Sequence, residues 1–481
     1  MTGIVLIANL GSRDVGLTAG DANIIGEPRR EGERLWQAYG QYQAQFQLPL
    51  LEKVMVDLIG QNQRPQVIHL IATDQSETSP KHQHSDTIYL AYIARRWLAE
   101  KYGYAYDAAW AEDDPRHDIH VSWIRREPHN YTQTYEFFTQ WLPVIDADSN
   151  PDLTFYLQLS GGTPAMTSML LLCGVNILGE RARPVYVSPT EPSPYPLDIG
   201  QKLIARTVRN ALLTAINAYA YQTATALIDE NRDLLADFFP NIDELRAIAA
   251  YAAHRRNFAW GDAQQMVAQV TSDLRPSLMA VDEAIASRNY EGLLAEGIYN
   301  CEIAARTADL FSLVVRVAQF AEALPRYLCL QHGVRFQDKK GQERRDGEFL
   351  FEAWRSENEA VVAALEAKGV RLATMSTFAL QRLVIEVAGK KWGKIMGQFD
   401  EVGKLRNRAV HGHRQITEEL LLEAYVCSAK KRKKIEPDQA TDLILQGMKQ
   451  AWADVVGRPF ATENPFDEIN RLLLASLEAL P

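Results

Sequence analysis

Residues 405–413 read LRNRAVHGH and place three chemically active side chains close together: Arg406, Asn407 and His411. Asn407 and His411 are four positions apart, so they share one face if the segment is a helix, and the long side chain of Arg406 can reach that face. A histidine can transfer the proton of a ribose 2′-hydroxyl, and a guanidinium can stabilise charge on phosphoryl oxygens. These residue types suit metal-free cleavage of RNA, with Asn407 orienting a hydroxyl or phosphate and Gly412 ending the helix.

The spacing of arginine and histidine does not decide the function by itself. Similar pairs occur at Arg326 and His332 and at Arg408 and His413, and a chain of this composition produces such matches by chance. A histidine near a helix end is also explained by the helix dipole, which stabilises its charged form. The chain has one strong copy of the cluster, so two such groups around one phosphate would require two chains. This predicts a homodimer with a shared site.

A second candidate site follows a predicted strand, in the stretch LQLSGGTPAMTSMLLLCGV at 157–175. The polar groups of its turn belong to Ser160, Gly161, Gly162 and Thr163. The glycines allow positive φ and close approach of a ligand to the backbone. Pro164 suits the first turn of the next helix, whose free amides favour an anion. The alternative is a tight strand–helix turn capped by the threonine. The stretch is neither a P-loop nor a GxGxxG turn.

Two further loops are predicted to lie at the same edge of the sheet. Residues 9–16 (NLGSRDVG) follow the first predicted strand, and residues 73–79 (TDQSETS) follow the second. Because the carboxyl ends of parallel strands lie at one edge, three polar loops would form a nucleotide-sized pocket there. Arg13 is a local cation that could contact phosphates in this pocket.

The first half of the chain alternates strand and helix patterns. Continuous apolar runs predict buried parallel strands at 2–10, 66–74, 119–126, 153–160 and 183–189. Segments between them, such as 87–103, have apolar residues at three- and four-residue spacing, as helices do. The alternation predicts an α/β fold with a Rossmann-like, doubly wound parallel sheet.

Four prolines within 188–200 interrupt this alternation and indicate a domain boundary. Beyond it, helical periodicity without strand patterns predicts an all-α second half. We therefore expect a ligand-sensing sheet domain at 1–198, a helical linker domain at 199–290 and a C-terminal helical domain at 291–481.

Charge is distributed unevenly along the 481 residues. The net charge of −10 argues against a general nucleic-acid coat. Residues 1–198 hold 15 basic and 24 acidic side chains, whereas residues 371–435 hold 14 basic and 6 acidic. A polyanion would be attracted to the second segment, although a solvated basic face explains it equally well. The KKRKK run at 430–434 could guide RNA, but a solvated loop is the simpler interpretation.

Composition argues against several classes of protein. No run approaches ~20 apolar residues, so we expect no membrane span, and the start MTGIVLIANLGSRD has no features of a signal peptide. The four cysteines are widely separated, which predicts a reducing cytoplasm rather than disulfides or a cysteine-bound zinc. The motifs KHQH (81–84) and RHDIH (116–120) lack further ligands, so no metal site is predicted.

The SGGTPAM turn at 160–166 and the RNRAVH cluster at 406–411, in this order, resemble the CRISPR-associated CARF–HEPN ribonucleases of type III systems. The resemblance covers nearly the whole chain in domain order. It implies a homodimer whose CARF domains bind a cyclic oligoadenylate, either tetra- or hexa-adenylate, with no other cofactor. It also implies a C-terminal HEPN domain, an endoribonuclease that cleaves single-stranded RNA without metal and leaves 2′,3′-cyclic phosphate ends.

The resemblance further implies roles for individual residues. The catalytic residues would be Arg406, Asn407, His411 and, as a looser match on an earlier helix, Glu322. The activator would be bound by Asn9, Ser12, Ser160, Gly161, Gly162, Thr163 and Met166. Some relatives also cleave their own activator, and Ser12 and Thr163 would be the candidates for such self-limiting cleavage here.

Two other functions fit parts of the sequence. A ligand-sensing transcription regulator would join a Rossmann-like sensor to a helical DNA-binding domain, with RNRAVHGH in its recognition helix. A dinucleotide-dependent enzyme would need a GxGxxG turn and an acidic ribose partner, which the sequence lacks. Cleavage of labelled single-stranded RNA in EDTA separates the ribonuclease from the regulator.

Overall fold

The computed structural model describes residues 3–18, 27–76, 82–147, 152–188, 190–270, 274–285, 290–412, 415–429, 436–461 and 463–478. The chain divides into two compact units, Met1–Val208 and Arg209–Pro481. The division falls within a helix, Ile199–Asn217, that follows the proline-rich segment.

The first unit is an α/β structure. Its strands are β1 (Ile4–Asn9), β2 (Gly16–Leu17), β3 (Phe46–Gln47), β4 (Val67–Thr73), β5 (Ile119–Ile124), β6 (Thr154–Gln158), β7 (Ala182–Tyr186) and β8 (Tyr195–Pro196). Its helices are α1 (Pro28–Gln37), α2 (Tyr39–Tyr42), α3 (Leu51–Gly60), α4 (Ile88–Tyr102), α5 (Tyr131–Ala147), α6 (Pro164–Leu178) and the start of α7 (Ile199–Asn217). The five predicted strands are all present, as β1, β4, β5, β6 and β7.

The main sheet of this unit has the strand order β5-β4-β1-β6-β7-β8. β1 pairs in parallel with both β4 and β6, and the pairs β4–β5 and β6–β7 are also parallel. The chain runs outward from β1 through β4 and β5 and then crosses to β6, so the order reverses between β1 and β6. This confirms the predicted doubly wound sheet, whose ligands are expected beyond the carboxyl ends of the strands at such a switch point.

β1 is buried along its whole length because both faces of the sheet are covered. Leu6 and Ala8 belong to the apolar core on one face, and Val5 and Ile7 belong to the core on the other. The alternation of strand side chains thus explains why the run IVLIA is apolar at every position.

The proline-rich segment, which was predicted to be a domain boundary, contains a short strand. β8 pairs antiparallel with β7 at the edge of the sheet. Proline is tolerated there because an edge strand leaves one row of backbone groups without partners.

The second unit is helical apart from β9 (Phe336–Gln337) and β10 (Phe349–Leu350), an antiparallel pair that the all-α prediction missed. Its helices are the rest of α7, α8 (Tyr221–Glu230), α9 (Arg232–Ala236), α10 (Ile242–Arg256), α11 (Trp260–Gln269), α12 (Leu274–Ile285), α13 (Tyr290–Arg306), α14 (Leu310–Gln331), α15 (Glu352–Glu357), α16 (Glu359–Ala367), α17 (Thr377–Ala388), α18 (Lys390–Gly397), α19 (Asp400–Gly412), α20 (Glu418–Ala429), α21 (Ala440–Val456) and α22 (Pro465–Leu477). Among the described residues, no helix combines the length and apolar character needed to span a membrane.

Helices α14 and α19 pack together and position the RNRAVH cluster. Phe320 of α14 contacts Phe399, the residue before α19, with ring centroids 5.5 Å apart. The buried face of α19 consists of Val402, Leu405 and Ala409. This three- and four-residue spacing leaves the remaining faces of the helix for polar side chains.

Candidate functional site

The loop after β1 and the turn after β6 meet at the carboxyl edge of the sheet. A Cβ atom on Gly161 would lie within 3.0 Å of both the Asn9 carbonyl oxygen and the Asp14 carboxylate. A Cβ atom on Gly11 would lie 3.0 Å from the amide nitrogen of Gly162. Gly162 itself has a φ of +78°, which residues with a Cβ rarely adopt. The glycines therefore permit the close approach of two loops on either side of the switch point.

Two hydroxyls hold the glycine turn in place. Oγ1 of Thr163 accepts a hydrogen bond from the Met166 amide at 3.2 Å, as a helix cap, and donates one to the Pro128 carbonyl oxygen. Oγ of Ser160 accepts a hydrogen bond from the amide of Val187, just beyond β7. The capping interaction considered for Thr163 is therefore present, and both hydroxyls are engaged by the protein.

Asn9, the last residue of β1, is a buried polar group at this edge. Its side chain is 0% exposed, and neither polar atom of its amide has a hydrogen-bond partner within the described parts of the chain. A buried amide without partners costs about 1–3 kcal/mol. A ligand that bonded this amide would relieve that cost.

The other predicted ligand-binding residues differ in exposure. Ser12 is half-buried in the loop after β1, and Gly162 is exposed. Met166 is fully buried in the core of the sheet, and its Sδ atom is 3.1 Å from the position that a Cβ on Gly162 would take. Met166 thus supports the turn from the core, whereas Ser12 and Gly162 reach its accessible side.

Asp14 also lies at this edge, although the sequence pattern did not predict a role for it. Its side chain is buried, 3% exposed, and Oδ2 accepts a hydrogen bond from the Gly11 amide at 2.5 Å. The Gly162 amide also donates to this carboxyl group. Burial raises the pKa of Asp14 to about 7, although the hydrogen bonds from the two backbone amides act to lower it. The amide of Gly162, a residue predicted to contact the ligand, therefore bonds to Asp14 instead.

We expect Asp14 to make thermal stability depend on pH. Its pKa is raised from 3.8 to about 7 in the folded chain, so the folded state retains a proton that the unfolded state releases. The contribution of Asp14 to the free energy of unfolding is therefore largest below about pH 4. It is lost as the pH rises through 7, by up to about 4 kcal/mol. Melting temperatures of wild type and Asp14→Asn at pH 5 and pH 8 test this.

The wild type should lose more stability between these two pH values than Asp14→Asn does. Asp113→Asn, at an exposed position, is the control and should follow the wild type. Equal pH dependence in wild type and Asp14→Asn would show that the Asp14 carboxyl group titrates normally.

A charged network follows β4 at the same edge. Nη1 of Arg29 lies 2.8 Å from a carboxylate oxygen of both Asp74 and Asp86. Asp86 also accepts a hydrogen bond from the Gln75 amide at 2.9 Å. Burial opposes ionisation of Asp74, but hydrogen bonds from Arg29 and Ser76 outweigh it and lower the pKa of Asp74. Residues 74–76 of the predicted polar loop thus belong to a network with an arginine that precedes them in the chain, and residues 77–79 of that loop lie outside the described residues.

Two further arginines lie where β5 ends. Arg125 and Arg126 are exposed and line a cavity of 280 Å³ together with residues of α5. Arg126 forms an ion pair with Glu136 at 3.1 Å. Together with the exposed Arg13, these side chains place positive charge at the carboxyl edge of a sheet unit that is acidic as a whole.

The RNRAVH cluster occupies the end of α19. The helix runs over Asp400–Gly412, and residues 413–414 lie outside the described residues. Asn407 and His411 are exposed, and Arg406 is half-buried. Nη1 of Arg406 donates a hydrogen bond to Oδ1 of Asn407 at 2.8 Å. None of the three is enclosed in the core, so the cluster is accessible to a substrate.

Along the packed pair of α14 and α19, Glu322 does not lie beside the RNRAVH cluster. It is exposed on α14, two residues after Phe320, which contacts Phe399 at the start of α19. At 1.5 Å per residue, His411 is about 18 Å from Phe399 along the helix. No hydrogen bond or ion pair between described residues joins Glu322 to Arg406 or His411. The structure brings the three α19 residues together and leaves Glu322 near the other end of that helix.

The two histidines of the RHDIH motif make structural contacts. Nε2 of His117 lies 3.1 Å from the Ala111 carbonyl oxygen, and His120 stacks on His69 with ring centroids 5.2 Å apart. Lys81 of the KHQH motif is outside the described residues. Within the described ranges, no group of three or more His, Cys, Asp or Glu side chains could hold a metal ion.

Comparison with solved structures identifies a protein of similar fold. No protein-family model matches the sequence, and a search of the curated proteins gives no significant match. Among solved structures, the chain is similar to Csm6 of Enterococcus italicus, determined bound to cyclic hexa-2′-fluoro-hexa-dAMP. The match has a TM-score of 0.58 at 14% sequence identity and covers 100% of both chains. The chain therefore has the fold of Csm6, a CARF–HEPN protein, over its whole length, as the resemblance implied.

Proposed function

We propose that this protein cleaves single-stranded RNA without a metal ion and is activated by a cyclic oligoadenylate. The observation that carries the proposal is the accessible group of Arg406, Asn407 and His411 at the end of α19, in a chain with the fold of Csm6. We assign activator sensing to residues 1–198 and catalysis to residues 291–481, joined by a helical linker domain at 199–290. Antiviral defence of a type III CRISPR system in the cytoplasm is the corresponding role.

The chemistry follows from the side chains of the cluster. The ribose 2′-hydroxyl attacks the adjacent phosphorus, and His411 transfers a proton as general base or general acid. Arg406 stabilises the charge on the phosphoryl oxygens, while Asn407 accepts its hydrogen bond and orients the guanidinium. The products carry a 2′,3′-cyclic phosphate and a 5′-hydroxyl. A homodimer would bring a second histidine, so one could accept and the other donate the proton.

We place the activator at the carboxyl edge of the sheet, between β1 and β6. Csm6 was determined with a cyclic hexanucleotide analogue, which supports this class of ligand. The amide of Asn9 has unused hydrogen-bonding capacity for a base or a ribose, and Arg13 and Arg125 are exposed cations for phosphates. Self-limiting cleavage of the activator is assigned to Ser12 rather than Thr163, because the Thr163 hydroxyl is already engaged.

The proposal is tested by incubating the protein with labelled single-stranded RNA and cyclic hexaadenylate in excess EDTA. We expect cleavage to continue, because no step of the proposed chemistry uses a metal ion. Mass spectrometry of the fragments should find 2′,3′-cyclic phosphate ends. A transcription regulator would leave the RNA intact under every condition, and a metal-dependent nuclease would stop when EDTA is added.

A further inference from the structure

Two adjacent helices of the second unit concentrate positive charge. α17 and α18 together contain one acidic residue and four basic residues, which are Arg382, Lys390, Lys391 and Lys394. All four basic residues are exposed, and none forms an ion pair with another described residue. The acidic residue, Glu386, is paired with Lys368. Within the part of the chain that the structure describes, ion pairs therefore do not neutralise this charge.

The two helices pack side by side, so we treat their exposed side chains as one surface. Phe378, Arg382 and Ile385 are four and three positions apart, so they share a face of α17. A Cβ on Gly393 of α18 would lie 2.9 Å from Cδ1 of Ile385, so α18 packs beside that face. Lys394 is the next residue after Gly393. We call this surface, which comprises Phe378, Arg382, Lys390, Lys391 and Lys394, the α17–α18 surface.

Phe378 gives the α17–α18 surface an aromatic platform. Its side chain is 54% exposed, and the guanidinium carbon of Arg382 lies 5.1 Å from its ring centroid. An accessible ring beside several cations is the combination that proteins use for single-stranded nucleic acid. A base stacks on the ring, and the cations contact the phosphates.

The large cavity near the end of α19 is less suited to RNA. It has a volume of 720 Å³ and includes the residues that follow this helix. Its charged residues are Glu302, Glu418, Glu419, Asp438, Asp442, Arg306 and Lys449. The excess of carboxylates would repel phosphates. The KKRKK run at 430–434 lies outside the described residues.

We propose that the α17–α18 surface binds a single-stranded segment of the RNA substrate. α18 ends at Gly397 and α19 begins at Asp400, from which His411 is about 16 Å away along the helix. Binding sites for single strands span several nucleotides, so one RNA can reach from this surface to the cluster. The inference rests on the proposed function, because it assigns the part of the chain that holds the proposed substrate.

The test measures binding of a labelled 2′-O-methyl oligoribonucleotide to the full-length protein by fluorescence anisotropy at several salt concentrations. The methyl group removes the attacking hydroxyl, so binding is separated from cleavage. We expect Lys390→Gln/Lys394→Gln to weaken binding on the order of tenfold at low salt. The slope of log Kd against the logarithm of the salt concentration should fall by about 1.4, roughly 0.7 for each lost phosphate contact.

Lys202→Gln/Arg206→Gln is the matched control. It also removes two exposed cations four positions apart, on α7, and should leave both the affinity and the slope unchanged. Phe378→Ala should weaken binding on the order of tenfold through lost stacking, and Phe378→Tyr should restore it. Because Phe378 is exposed, neither variant disturbs the core, which melting curves would verify.

Three results would overturn the inference: no binding by the wild type, equal binding by wild type and the α17–α18 variants, or equally tight binding of a polyglutamate peptide. Failure of the proposed function has a different signature. A protein that binds the oligonucleotide through this surface but leaves unmodified RNA intact would keep the inference and lose the ribonuclease assignment.

Discussion

His411→Ala will abolish cleavage of single-stranded RNA and leave binding of the cyclic oligoadenylate intact. Loss of a side chain that transfers a proton lowers the rate by about 10²–10⁴-fold. His411 is exposed, and α19 packs through Val402, Leu405 and Ala409, so the helix keeps its contacts in the variant. The measurements are the initial cleavage rate with saturating cyclic hexaadenylate and, separately, activator binding by calorimetry.

Arg408→Ala is the matched control for this variant. Arg408 is exposed on the same helix and belongs to the similar arginine–histidine spacing in the sequence, whose histidine, His413, lies outside the described residues. We expect Arg408→Ala to keep most of the activity, because its side chain is not part of the Arg406–Asn407 hydrogen bond. Cleavage retained by a clean preparation of His411→Ala would show that His411 is not catalytic.

Gly161→Ala is expected to remove the response to the activator without any change to the catalytic cluster. The added methyl group would fall within 3.0 Å of the Asn9 carbonyl oxygen and the Asp14 carboxylate. The first is backbone and the second is buried, so the two loops must separate. Overpacking of this kind costs about 1–3 kcal/mol, which corresponds to roughly 5- to 150-fold in a binding constant. Calorimetry with cyclic hexaadenylate measures the loss.

Gly60→Ala, at the end of α3, is the control because a Cβ there meets nothing within 4 Å. It should bind the activator as the wild type does. If Gly161→Ala does not fold, Gly11→Ala makes the milder change, since its Cβ would lie 3.0 Å from the Gly162 amide nitrogen. Wild-type affinity in a folded Gly161→Ala variant would exclude this turn as the ligand site.

Much of the fold could be predicted because its signals are local. The run IVLIA in β1 is apolar at successive positions because the strand is buried on both faces, and this pattern is visible in the sequence. The strand order could not be predicted, since β1 and its neighbour β6 are far apart in the chain. β8, β9 and β10 are two residues long, too short to show any periodicity.

A candidate site could be predicted from the sequence where its residues belong to one short segment. The cluster at 406–411 spans less than two turns of one helix, and its residues lie together for that reason alone. Asp14 was missed because its contact with Gly162 joins segments that are distant in sequence. Its presence in the glycine-containing loop at 9–16 was the only local signal. The position of Glu322 relative to α19 likewise could not be predicted, because it depends on the contact between Phe320 and Phe399, which are distant in sequence.

The most direct test of the central claim is the rate of single-stranded RNA cleavage by the wild-type protein in EDTA, with and without a cyclic oligoadenylate. Parallel reactions with the tetra- and hexa-adenylate rings identify the activator. We predict slow cleavage without a ring and strong stimulation by one of the two, with the stimulation lost in Gly161→Ala and all cleavage lost in His411→Ala. Cleavage at the same rate with and without either ring, or no cleavage in any reaction, would contradict the claim.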